Sequence, residues 1–110
     1  MPENEGSLLV QLAQWSSIAG IDEAAAAIFD DDFVPDSADA SDIAVRKVLM
    51  WGETLGTLTK NGLLSQELVL DWQWVAGAWA RVGKAALAQR EKYGQPRLYE
   101  NFEALAQAQS

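Results

Sequence analysis

Glu100 and Glu103 stand three residues apart, a spacing that turns both carboxylates to one side of a helix. Such a pair is half of a helical magnesium site, and the other half is a second acidic pair on a facing helix. The nearest candidates are Glu67 with Asp71, spaced by four, and Glu53, which stands alone. Ferritin-like di-iron centres need Glu-x-x-His, and the chain has no His. It has no Cys either, which removes thiol nucleophiles, thiolate metal sites and disulfides. The stretch DDDFVPDSADA, Asp30 to Ala40, matches a calcium loop only in acidity. Its sixth position is Pro35 where an EF-hand has Gly, and its twelfth is Ser41 where an EF-hand has Glu. There is no Gly-rich phosphate loop or nucleophile elbow. No catalytic residue, metal or cofactor is therefore expected. A magnesium-dependent hydrolase built on Glu53, Glu100 and Glu103 stays as a minor alternative.

The same residues make better sense as a structural polar network. Glu53 falls mid-helix beside an apolar seam, two residues from Trp51 and from Leu55. A carboxylate there needs a partner if it is buried. Arg90, Arg97 and Asn101 are in reach if the last helix folds back. The expected network is Glu53, Arg90, Tyr99, Asn101 and Glu103, with Arg90 paired to Glu103 or Glu53 and docking the C-terminal helix.

The elements that position these groups all read as helices. A first helix runs from a Ser7 cap to Ala19, stopped by Gly20, with Leu8, Leu12, Trp15 and Ile18 or Ala19 inward. A short second helix runs from Asp22 to Phe29, and residues 30–40 form an acidic loop broken by Pro35. A third helix opens at Ser41 and closes at Asn61-Gly62. Its seam is Ala44, Val48, Trp51, Leu55 and Leu58. Beside that seam lie Gly52 and Gly56, one turn apart. Each glycine costs a helix about 1 kcal/mol, so the pair suggests a notch for a close neighbour. A fourth helix is predicted from Ser65 to Lys92 with Leu68, Trp72, Val75, Trp79, Val82 and Ala86 as its seam. Trp74 falls off that seam, to cover the N-terminal helices or to meet a partner. A fifth runs from Pro96 to Gln107 with Leu98, Phe102 and Leu105 inward. The fold class is all-α. It is a bundle of four to five helices in one domain over residues 1–110, with a long central antiparallel hairpin, 41–92.

Composition narrows the partners. The net charge is -8, and every residue up to Asp42 that carries charge is acidic, ten in all. Acidic surface repels phosphate, so nucleic acid is excluded as a direct partner, unless the chain imitates it to bind a basic protein. MPENEG has no signal-peptide pattern, and Leu68 to Ala80 is too short and polar to span a bilayer. A cytoplasmic protein without a membrane role is expected.

Residues 45–106 carry a recognisable series: Trp51 and Glu53, then Lys60-Asn61-Gly62-Leu63-Leu64, Arg90-Glu91, Gly94, Pro96, and Tyr99-Glu100-Asn101-Phe102-Glu103-Ala104-Leu105. This series resembles a bacterial family known as domain of unknown function 4760. The resemblance implies a helical fold and supplies no activity. From the residues themselves, the leading reading is a non-enzymatic interaction module whose partner is a second copy, as a homodimer, or another protein. The alternative is a small-ligand binder with a Trp-lined pocket at the Gly52/Gly56 notch. Trp51, Gly52, Gly56, Trp72, Trp74 and Trp79 are the ligand or interface candidates.

Overall fold

A computed structural model describes residues 5–109. Among them, six α-helices follow in order: α1 (Glu5–Ala19), α2 (Ile21–Phe29), α3 (Ile43–Lys60), α4 (Gln66–Trp72), α5 (Val75–Tyr93) and α6 (Glu100–Ala108). The described residues contain no strand, so the architecture is an all-α bundle. No helix among them is long and apolar enough to cross a membrane. The beginning of the MPENEG segment, residues 1–4, lies outside the described residues, as does residue 110.

Local chemistry explains most boundaries. Gly20 takes a left-handed conformation (φ 76°) and turns α1 into α2 with a single connecting residue. The α3 cap is Asp42, one residue later than the Ser41 expected from sequence, and its carboxylate accepts from Ala44 N–H at 2.8 Å. Ser41 instead donates its own N–H to Asp39. Ser65 caps α4 by accepting from Leu68 N–H. The acidic loop holds a 3-10 turn at Pro35–Ser37 and is tied to α5 by the Lys84–Asp36 ion pair.

α3 lies at the centre. Both of its apolar ridges are buried, Val48, Trp51 and Leu55 on one and Val45, Leu49, Gly52 and Gly56 on the other. A single core joins residues from Leu12 of α1 to Ala106 of α6. Its fully buried members include Phe102, Ile28, Leu49, Leu55 and Val69.

Three expectations need correction. The predicted helix 65–92 is broken: Gln73 and Trp74 leave helical backbone and separate α4 from α5. The sequence around the break, Trp72 to Trp79, holds three tryptophans, Val75 and Gly77, which are poorer helix formers than Ala or Leu. The break re-registers α4, so Val69 rather than Leu68 is fully buried there. The last helix starts at Glu100, not Pro96, because residues 95–99 fold into turns closed by Leu98 N–H to Gln95 O and Glu100 N–H to Arg97 O. On α1, Leu12 is buried and Leu8 and Ala19 pack against the core as expected, but Trp15 is 42% and Ile18 86% exposed, and Ser16 is buried in their place.

Candidate functional site

The first cluster of sequence candidates is the seat of α6. Gly52 and Gly56 do make a notch on α3, and it is full. The Phe102 ring covers Gly52, and a side chain at Gly56 would run into the backbone of Asn101. Phe102 is 1% exposed and meets Trp79 edge-on, with centroids 5.0 Å apart. The space left beside it, lined by Trp51, Gly52, Leu55 and Trp74, is about 30 Å³, room for one water. The expected Trp-lined ligand pocket at this notch is therefore occupied by the protein's own α6.

Glu53 performs a task that its sequence position did not announce. Its Oε1 accepts from the backbone N–H groups of Asn101 (3.0 Å) and Phe102 (2.9 Å), and its Oε2 accepts from the Asn101 side-chain amide (2.9 Å). Those N–H groups belong to the first turn of α6 and have no partner within the helix. The residue at the cap position, Tyr99, supplies no side-chain bond and sits in left-handed backbone (φ 61°). Glu53 is thus an N-cap delivered from another helix, with the carboxylate also facing the positive end of the α6 dipole. Burial, and next the nearby Glu53 charge, push the Tyr99 phenol above its ordinary pKa.

Arg90 closes the other side of the same turn. Its Nε donates to Leu98 O at 2.6 Å, and its Nη2 pairs with Glu103 Oε1 at 3.0 Å. Arg97 and Glu100 form a surface pair; their hydrogen bonds hold the Glu100 carboxyl below the usual range and raise the Arg97 guanidinium. The three carboxylates once considered for magnesium are thereby committed to three separate partners. Among the described residues, no three His, Cys, Asp or Glu side chains converge as metal ligands do.

Sequence reasoning missed the far end of α6. The Gln109 side chain enters the α4–α5 break. Its Oε1 accepts from Ala76 N–H at 2.7 Å, and its Nε2 donates to Leu70 O and Gln73 O, both at 3.0 Å. It satisfies backbone groups that a continuous helix would have paired internally. Glu5 was also missed; buried at the start of α1, it accepts from Ser65 N–H at 2.6 Å. Neither residue belongs to a recognisable local motif, so the sequence held no signal for either contact.

The second cluster is aromatic and runs from the buried Trp51 out to the surface. Trp51 stacks on Trp15 (5.7 Å) and meets Trp72 edge-on (5.9 Å). Trp74 lies over Gly77 and stacks on Phe29 of α2 at 5.5 Å and 8° between planes. It still exposes 68% of its surface, and Phe29 exposes 37%. Beside Phe29, Arg81 donates to Ile28 O (2.8 Å) and Asp30 O (3.2 Å), capping the end of α2, with its guanidinium over the rings of Phe29 and Phe33. Between α2 and the α4–α5 junction is a cleft of about 130 Å³, lined by Asp22, Phe29, Trp51, Gln73 and Trp74 among others. The four candidate tryptophans are therefore split: Trp51 and Trp72 join Trp15, Trp74 joins Phe29, and Trp79 turns inward to Phe102. An open groove of about 670 Å³ along α4, which includes Glu67, Asp71 and Gln109, is lined by none of them.

A family model for a domain of unknown function, DUF4760, matches residues 8–109, taking in the N-terminal helices as well as the motif-bearing stretch. No curated protein and no solved structure shows a significant match.

Proposed function

The chain belongs to the DUF4760 family, and from that premise we propose that it is a non-enzymatic helical module for protein–protein interaction. Its contact face is the Phe29–Trp74 stack and the cleft beside it. One observation carries the reading: Trp74 is 68% exposed although it is braced by Phe29 and Gly77. A large ring held in place but left in water has its ordering cost already met before a partner arrives, which is the character of an interface anchor. In support, Glu53 and Glu103 bond within the seat of α6, Glu100 pairs with its neighbour Arg97, and the notch considered for a ligand contains Phe102.

A second copy or another protein would use the same face. The test is an aromatic, benzophenone-bearing crosslinking residue, which keeps a large ring, placed at position 74, and separately at Leu87, in the protein expressed in its native host. Leu87 is also exposed, roughly 20 Å further along α5. A discrete adduct from position 74 and none from position 87 is the expected outcome, and the adduct's mass separates self-association from a different partner. Equal, diffuse labelling at both positions would sink the interaction reading.

A further inference from the structure

We infer that the occupant of this face is a basic segment of another protein, which places an Arg or Lys side chain in the cleft between α2 and the α4–α5 junction. The inference rests on the interaction reading above and adds the chemistry of the partner. The cleft is about 130 Å³. At about 30 Å³ per water it holds roughly four, which suits the head and part of the stem of one side chain and falls far short of a drug-sized ligand.

Its lining combines aromatic rings, Phe29, Trp51 and Trp74, with one carboxylate, Asp22. The ring faces are engaged with one another and with Arg81, so the rings pack the apolar stem of an entering side chain, while the carboxylate supplies the counter-charge and the hydrogen bonds to its head. Arg81 is itself committed to Ile28 O and Asp30 O.

Charge selects against a second copy. Asp30, Asp31 and Asp32 follow Phe29 directly, and no base precedes Arg46 in the sequence. Two such faces brought together would oppose like charges. Four of the eight bases, Arg81, Lys84, Arg90 and Arg97, are engaged within their own chain. A different protein presenting arginines along an apolar stripe meets both requirements of the cleft.

The probe is a synthetic amphipathic helical peptide with arginines flanking a leucine stripe, and its copy with every Arg replaced by Gln. Each is titrated into the full chain while Trp fluorescence is followed. The arginine peptide should bind at least tenfold more tightly than the Gln copy. Its affinity should fall as salt is raised, by a further several-fold with Asp22→Asn, and be lost with Trp74→Ala, while circular dichroism stays that of the wild type. Equal binding of the two peptides, or no effect of Asp22→Asn, overturns the basic-partner inference. So does a light-scattering dimer abolished by Trp74→Ala, which would make the occupant a second copy. Either result leaves the interaction reading standing, because the position-74 adduct tests that reading separately.

Discussion

At the scale of single residues, acids that looked like possible ligands turn out to be fasteners. Glu53 accepts three hydrogen bonds from α6, two of them from first-turn backbone amides. Glu103 holds Arg90, and Glu100 holds Arg97. The Arg97–Glu100 pair yields a clean prediction because the exposed carboxyl has its strongest hydrogen bonds from one side chain. Its depressed pKa means the pair favours the folded chain above the ordinary Glu pKa, and that contribution is lost as pH falls through the depressed folded value. In Arg97→Gln, an NMR titration of Glu100 should move up to the ordinary glutamate range; an unchanged titration would show that Arg97 is not the cause. Glu53, Asn101, Arg90 and Glu103 could be grouped from sequence, with the Arg90–Glu103 pairing as an option, but Tyr99, grouped with them, supplies no side-chain bond to the α6 cap. The specific role of Glu53 was not legible in sequence, because its partners are backbone amides 48 and 49 residues away. A backbone donor leaves no mark in the identity of the residue that carries it.

At the scale of elements, the feature that matters is the pair of polar pins at the two ends of α6. Glu53 caps its beginning, and Gln109, just past its end, fills the α4–α5 break. Between the pins, Phe102 sits on Gly52, where any larger residue would displace the ring. Gln109→Ala leaves Ala76 N–H and two carbonyls without their partner. About 1–2 kcal/mol of unfolding free energy should be lost, read by denaturant titration, together with faster hydrogen exchange at Ala76. Exchange at Ala76 as slow as in the wild type would mean that water or the helix ends replace Gln109 at no cost. Helix identity was readable here from seam spacing and caps, and the Gly52/Gly56 notch from the cost of two helical glycines. The break at Gln73–Trp74 was hidden because the four-and-three spacing of apolar residues runs straight through it. Periodicity records which residues are apolar and carries no information on whether the backbone between them stays helical.

At the scale of the whole molecule, aromatic residues divide into an inward and an outward set. Phe102 and Trp79 hold α6 against α3 and α5, while Phe29 and Trp74 form an exposed stack beside an acidic loop. Five tryptophans in 110 residues exceed what one small core can hide, and that surplus was visible in composition. Which tryptophan is left outside depends on the break in the fourth predicted helix, and so only the folded chain reveals it. The division of labour is tested most directly by equilibrium denaturant unfolding of Glu53→Ala beside Trp74→Ala. Glu53→Ala should lose about 3 kcal/mol, since it strands buried-facing amides of α6. Trp74→Ala should lose about 1 kcal/mol, the worth of one partly exposed aromatic stack. A Trp74→Ala loss equal to or greater than that of Glu53→Ala would make Trp74 a structural residue and contradict the outward role assigned to it.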